Sequence, residues 1–194
     1  MEPQEDGTTL SWRNLEIECN TREEFQKFHV AVNDNNNKTI RVVDILKETM
    51  TDGSGFRTSI YGAGCLHKCP HCHNPQTWDY ESGIEYKIDE LFDIIVNEEF
   101  SDVTFSGGDP LFQVDGFTEL AKMVKNKTNK TIWCYTGYIY ENIIKDSNLS
   151  QILPYIDVLV DGPYIHNLRD TSLKFRGSSN QRIIELKDGI ATNI

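Results

Sequence analysis

No stretch of this 194-residue chain approaches the ~18 consecutive apolar residues that suggest a membrane-spanning helix. Its opening residues, MEPQEDGTTLSW, lack the basic-then-apolar layout of an export signal. These absences lead to the expectation of a cytoplasmic protein without membrane contact, in a compartment that keeps thiols reduced. Positive charge is short as well: 19 Lys and Arg stand against 30 Asp and Glu, a formal net charge of −11. Binding along a phosphate backbone relies on cationic surface, so nucleic acid is not an expected partner. Basic residues gather only locally, at Arg57, Lys68 and the group Arg169, Lys174, Arg176 and Arg182, and each reads first as solvated surface charge. Cysteine is scarce and odd in number, five in all with three crowded together, which makes a poor disulfide framework. No internal repeat is visible.

What is present suits one sizeable domain with its own core. Residues 1–38 stand apart as a small N-terminal appendage of unknown role, with residues 39–194 as the main domain. The appendage offers a strand at Leu15–Cys19 and a short helix opened by the capping pattern Thr21-Arg22-Glu23-Glu24. The run NDNNNK, Asn33 to Lys38, reads as a linker or exposed turn. Beyond it, IRVVDIL and FRTSIYG (Phe56 to Gly62) are strand candidates. Ile88, Leu91, Phe92 and Ile95 recur at helical spacing, which predicts an amphipathic helix over Lys87 to Glu98. Strand candidates Asp102–Ser106, Thr131–Tyr135 and Ile156–Val160 then alternate with helical stretches around Phe117–Val124 and Ile139–Lys145.

That alternation implies crossovers and an α/β fold with a mostly parallel sheet. In such sheets ligands sit beyond the carboxyl ends of the strands. The polar and glycine-rich clusters fall at those ends: the cysteine loop, Gly107-Gly108-Asp109-Pro110, Tyr135-Thr136-Gly137-Tyr138 and Asp161-Gly162-Pro163-Tyr164. Four loops converging on one sheet edge would make a single site.

The cysteine loop, CLHKCPHCHNPQ, places three cysteines and three histidines within nine positions, Cys65 to His73. A closed zinc site needs four ligands, and His67, His71 or His73 could supply the fourth, but no second ligand pair lies elsewhere in the chain. Cys69 and Cys72 form the Cys-x-x-Cys pair of a redox thiol, which leaves Cys65 unexplained. Three thiolates on a tight loop also suit three irons of a cubane cluster whose fourth iron binds a small molecule. The spacing alone leaves all three open.

Cys65-x3-Cys69-x2-Cys72, followed by a strand ending in Ser106-Gly107-Gly108-Asp109-Pro110, resembles the radical S-adenosylmethionine enzymes. More narrowly, the ordered stretches VVDILKETMTDGSGFRTSIYGAGCLHKCPHCHNPQTWD, FSGGDPL, IWCYTGY, DVLVDGPY and FRGSSNQR resemble the glycyl-radical activating family that serves anaerobic ribonucleoside-triphosphate reductase. The resemblance covers about residues 40 to 186 and is silent on residues 1–38. His71 stands where many relatives carry an aromatic residue, and Asp109 where the wider superfamily more often has glutamate.

The resemblance implies a partial, open (β/α) barrel. It implies one [4Fe-4S] cluster held by Cys65, Cys69 and Cys72, with S-adenosyl-L-methionine as second cofactor. Cofactor-binding residues would be His71, Cys72, His73, Ser106, Gly107, Gly108, Asp109 and Thr136, with Asp109 orienting the ligand's ammonium or capping the next helix. No catalytic side chain is implied beyond cluster and cofactor. The implied partners are the reductase catalytic subunit and a flavodoxin- or ferredoxin-type electron donor. Two other readings remain: an activase for a pyruvate formate-lyase type partner, and a non-catalytic zinc-binding interaction module. Arg57 is expected to balance cluster charge, bind the partner or form a surface salt bridge, and His67 to lie at the surface. Cys134, inside an apolar strand, is expected to be an inert buried thiol. The Arg176–Gln181 loop is expected to shape the mouth of the site.

Overall fold

The computed structural model describes residues 8–12, 15–19 and 38–193, which fall into two compact units, 1–38 and 39–194. In the first unit, β1 (Thr8–Trp12) pairs antiparallel with β2 (Leu15–Cys19), Thr8 opposite Cys19 and Trp12 opposite Leu15. The helix expected at Thr21–Glu24 and most of the expected linker lie outside the described residues.

The second unit is built on one eight-stranded sheet among the described residues. Its strands are β3 (Thr39–Thr49), β4 (Arg57–Gly62), β5 (Ile84–Lys87), β6 (Asp102–Gly107), β7 (Ile132–Tyr135), β8 (Val158–Asp161), β9 (Arg182–Lys187) and β10 (Ile190–Ala191). They lie in the order β10-β9-β8-β7-β6-β4-β3-β5. Only the central pairings β4–β6, β6–β7 and β7–β8 are parallel. The flanking pairings are antiparallel, so the sheet is partly rather than mostly parallel. Connection length explains part of the difference. A parallel crossover needs about a dozen residues or more, and only residues 50–56 join β3 to β4.

The helices form where apolar spacing and end chemistry agree. In α1 (Ile88–Asn97), Ile88, Leu91 and Ile95 are buried on one face. Its first turn carries Asp89 and Glu90, favourable at a helix amino end, and the Glu90 carboxylate accepts from Lys87 N at 2.9 Å. In α2 (Val114–Lys127), Phe117, Leu120, Ala121 and Val124 are buried, and Lys125 and Lys127 occupy the last turn. Helix α3 is a single turn, Tyr140–Ile143, shorter than its sequence pattern predicts. These side chains join Ile60, Val103, Phe105, Ile132, Cys134 and Leu159 in one core. Full burial stabilises each such aliphatic or aromatic side chain by about 1.5–3 kcal/mol.

Strand alternation divides the central sheet into two unlike faces. Ile60, Val103, Phe105, Cys134 and Leu159 share the face that meets the helices. The opposite face carries Arg57, Ser59 and Tyr61 of β4, Thr104 and Ser106 of β6, and Trp133 and Tyr135 of β7. Segment 50–56 covers part of this polar face: the Thr104 hydroxyl donates to Asp52 O and the Tyr61 hydroxyl to Asp52 Oδ2. Phe175 packs edge-on against Trp133 with ring centroids 5.3 Å apart.

Arg57 departs from its expected place. It is 1% exposed at the amino end of β4, not on the surface and not beside the cysteine loop. Five residue steps along a strand, at about 3.3 Å each, separate it from Gly62 by roughly 16 Å.

Cys134 is fully buried in the core, where loss of solvation pushes its thiol pKa up. Cys134→Ala is expected to cost about 1 kcal/mol or less in denaturant unfolding, the loss of one small buried group.

Candidate functional site

The carboxyl ends of the parallel strands gather four loops. The cysteine loop follows β4 and is pinned at its start by two backbone bonds, Gly64 N to Thr77 O at 2.8 Å and Cys65 N to Trp78 O at 3.1 Å. Inside the loop, Cys72 N donates to Cys69 O at 3.0 Å, and Lys68 and His71 take positive φ angles of 44° and 60°. The loop therefore coils tightly. Cys65, Cys69 and Cys72 line one cleft with Ser106, Gly107, Gly108 and Thr136. Seven of the residues named from sequence thus meet at one place.

The two glycines after β6 are required by space. Gly107 has φ 102°, and a Cβ there would sit 2.6 Å from the backbone N and O of Gly62. A Cβ on Gly108 would sit 2.3 Å from Gly64 O and 2.7 Å from Thr77 O, main-chain atoms with no rotamer to move. Gly108 N donates to Gly62 O at 2.8 Å and Asp109 N to Gly64 O at 2.9 Å, so these glycines weld the β6 loop to the base of the cysteine loop. Gly108→Ala is expected to cost about 1–3 kcal/mol in denaturant unfolding. The same change should misplace the cysteine loop.

Asp109 is 2% exposed and does not line the cleft. Its Oδ1 caps the following 3-10 turn, Pro110–Gln113, by accepting from Leu111 N at 2.9 Å. Its Oδ2 accepts from Thr136 Oγ1 at 3.0 Å and from Gly137 N at 3.1 Å. Of the two roles anticipated for this residue, capping is the one visible in its contacts.

The histidines are arranged differently from expectation. His67 is not a surface residue: its side chain is 19% exposed, and it lines the cleft. Its Nε2 lies 2.8 Å from Asp109 Oδ2 but out of line for a directed hydrogen bond. Its ring also meets Tyr138 edge-on, with centroids 4.5 Å apart. The reason is the cross-loop contact itself, which local sequence does not encode. His71 and His73 are exposed and do not line the cleft; His71 stacks on His166 at 4.2 Å and His73 faces Tyr164 at 5.8 Å.

The fourth wall comes from the loop after β8 and the approach to β9. Gly162, Tyr164 and Gln181 line the cleft, as do Trp78, Tyr135 and Gly137. Gln181 holds this wall together: its Oε1 accepts from Gly177 N at 2.9 Å and Ser178 N at 3.2 Å, while its Nε2 donates to Gly162 O at 3.1 Å. Asn180 Nδ2 donates to Pro163 O at 2.8 Å and Arg176 to Gln181 O at 2.8 Å. Arg182 donates to both oxygens of Glu141 and to Asp161, so it is paired rather than free. The strand-end polar clusters of Asp161–Tyr164 and Arg176–Gln181 were the available signal for these residues.

Burial dominates the thiol electrostatics. The Cys65 thiol is pushed up to about 11, chiefly by burial and further by the Asp109 charge, while the backbone N–H groups of His67 and Lys68 oppose the shift. The Cys69 thiol is also raised, again first by burial. A metal or cluster taking these sulfurs as thiolates therefore displaces protons on binding. Among the described residues, no three His, Cys, Asp or Glu side chains converge closely enough to hold a single metal ion. The three cysteines face one cleft without closing on one point.

Residues 51–184 match the family described as a 4Fe-4S single cluster domain. The anaerobic ribonucleoside-triphosphate reductase-activating protein of Vibrio cholerae is 36% identical over 143 residues, 69% of this chain and 90% of its own. That of Haemophilus influenzae is 35% identical over 146 residues, 70% of this chain and 92% of its own. The phage T4 protein of the same name is 35% identical over 145 residues, 72% of this chain and 90% of its own. A solved structure, QueE from Escherichia coli, overlaps 61% of this chain and 57% of its own at TM-score 0.44 and 13% identity, too loosely to bear on function. With a family match across the cysteine loop and the three other strand-end loops, and relatives of this identity spanned almost end to end, the chain belongs to the anaerobic ribonucleoside-triphosphate reductase-activating protein family.

Proposed function

We infer that this protein is an iron–sulfur enzyme that activates an anaerobic ribonucleoside-triphosphate reductase by installing a glycyl radical on it. The observation that carries the reading is the convergence of Cys65, Cys69 and Cys72 on the same cleft as Gly107, Gly108 and Thr136. The donor set fits a [4Fe-4S] cluster. Three thiols of one tight loop lining a cleft suit three irons of one cluster whose fourth iron stays open. When bound, the cluster supplies the electron that splits S-adenosylmethionine into methionine and a 5′-deoxyadenosyl radical able to take hydrogen from a reductase glycine.

The chain's own residues hold and orient. Cys65, Cys69 and Cys72 ligate the cluster. Gly107 and Gly108 present backbone without side chains to the methionine end of the ligand. Ser106 and Thr136 lie at adjacent strand ends along the same cleft wall. His71 and His73, next to Cys72, form an exposed rim with His166 and Tyr164 where the adenine end would emerge. Residues 39–194 form the catalytic domain as a partial, open barrel whose lateral gap receives the reductase glycine loop, and residues 1–38 are an appendage to it. A flavodoxin- or ferredoxin-type protein supplies the electron. A −11 protein is suited to docking by attraction to a basic surface on its partner. A cytoplasmic location accords with reduced thiols, and among the described residues no helix is long and apolar enough to cross a membrane.

The test begins with anaerobic reconstitution using iron and sulfide. Iron and sulfide should bind in near-equal amounts, and the reduced protein should release methionine from S-adenosylmethionine. Mixing with the anaerobic reductase should then give a glycyl-radical signal in electron spin resonance. Stoichiometric zinc in a colourless protein, or a radical signal with a formate-lyase type partner and none with the reductase, would refute the assignment.

A further inference from the structure

We propose that Asp109 and His67 are positioning residues that clasp the cysteine loop to the loop after β7, and that the Asp109 carboxylate makes no contact with the ligand. An ionised carboxylate offers about four acceptor directions. At Asp109, Leu111 N, Thr136 Oγ1 and Gly137 N take three of them, and His67 Nε2 stands 2.8 Å from Oδ2. With the side chain 2% exposed, little of it remains for an incoming ammonium group. Its partners come from three different loops, so one carboxylate ties the ends of β4, β6 and β7 together.

His67 is held from three sides. Asp109 faces its Nε2, Tyr138 meets its ring edge-on, and Gly137 leaves the space the ring occupies: a Cβ there would lie 2.4 Å from His67 Cδ2. Placed between Cys65 and Cys69, His67 passes this constraint directly to the thiols. The consequence for catalysis rests on the functional reading above; the clasp itself does not.

Hydrogen exchange on the iron-free protein tests the clasp without any cofactor. Asp109→Asn turns an acceptor into a donor facing other donors, and His67→Leu removes the imidazole. Each should speed exchange about tenfold in both segments, 64–73 and 132–138, with α2 protection unchanged. His67→Gln puts a planar amide of similar reach beside Asp109, where rotation can align an N–H that the ring Nε2 does not, and should restore protection to within about threefold. If His67→Leu loosens only its own loop, or His67→Gln fails to rescue, the clasp is overturned. Should Asp109→Asn lose α2 protection as well, the two His67 variants decide alone.

Equilibrium binding of S-adenosylmethionine to reconstituted protein supplies the second arm. Acting through one clasp, Asp109→Asn and His67→Leu should weaken binding by a similar factor, and the double variant by no more than either alone. An Asp109→Asn protein with wild-type exchange and binding weakened more than tenfold would place the carboxylate on the ligand and sink the proposal. If wild-type protein takes up no iron, the functional reading fails while the exchange result still decides the clasp.

Discussion

Cys69→Ala is expected to yield a folded protein that takes up little iron and generates no detectable glycyl radical. The loop does not depend on this side chain for its shape. Its start is held by Gly64 and Cys65 bonding to Thr77 and Trp78, and the inner turn by Cys72 N donating to Cys69 O, all backbone contacts that alanine preserves. The thiol is only half-buried, so its loss should change unfolding stability by less than about 1 kcal/mol. Activity should fall on the order of 10³-fold or more, because ligands of one cluster act as a unit and not as additive increments. Cys65→Ala and Cys72→Ala should behave alike in activity. Cys65→Ala should also cost some stability, since that side chain is 8% exposed. Iron and sulfide analysis beside the spin-resonance assay reads both effects. Wild-type iron content and activity in Cys69→Ala would remove the cluster assignment.

The site's location was legible in the sequence because glycines and polar residues interrupt apolar strands at matching points. Gly107-Gly108, Thr136-Gly137 and Asp161-Gly162 each end a strand of the parallel core, and the structure brings all three to the cysteine loop. Helix α1 was legible for the same kind of reason, a regular apolar face with acidic residues in its first turn. Sheet direction was less so. β3 is strand-like in pattern, but pattern does not state which way a neighbour runs, and connection length had to be weighed as well; β9 was not among the strand candidates.

Two side chains show where sequence reading stops. His67 looked like one more polar residue in a polar loop, yet it packs over Gly137, 70 positions away along the chain. Nothing local distinguishes it from His71 or His73, which stay exposed. Arg57 alternates with Ser59 and Tyr61, a run that reads as a solvent-facing strand edge. Segment 50–56 and Trp133 cover its part of that face, which converts an apparent surface charge into a buried one.

That burial makes Arg57→Met the substitution with the largest expected effect on stability. The guanidinium donates to Thr104 Oγ1 at 2.6 Å, Ser54 O at 3.0 Å, Val103 O at 2.5 Å and Thr131 O at 3.1 Å. It also stands 3.8 Å from Asp102 and 5.5 Å from the Trp133 ring centre. Burial lowers its pKa and the Asp102 charge opposes that shift. Methionine fills much of the volume but donates nothing, so Ser54 O, Val103 O and Thr104 Oγ1 lose a buried charged donor, while Thr131 O keeps its bond from Val103 N at 2.9 Å. At about 1–3 kcal/mol for each buried acceptor that loses its donor, the loss totals about 3–5 kcal/mol. For a domain of this size that corresponds to a fall in Tm of roughly 6–20 °C, readable by calorimetry. Arg57→Lys should recover only part of the loss, because an ammonium cannot reproduce the planar fork that reaches Thr104, Ser54 and Val103 together. Lying roughly 16 Å from the cysteine loop along β4, Arg57 should leave the iron content of the protein that remains folded at its wild-type value. The reverse pattern, unchanged Tm with altered iron content or cluster potential, would return Arg57 to the role of balancing cluster charge.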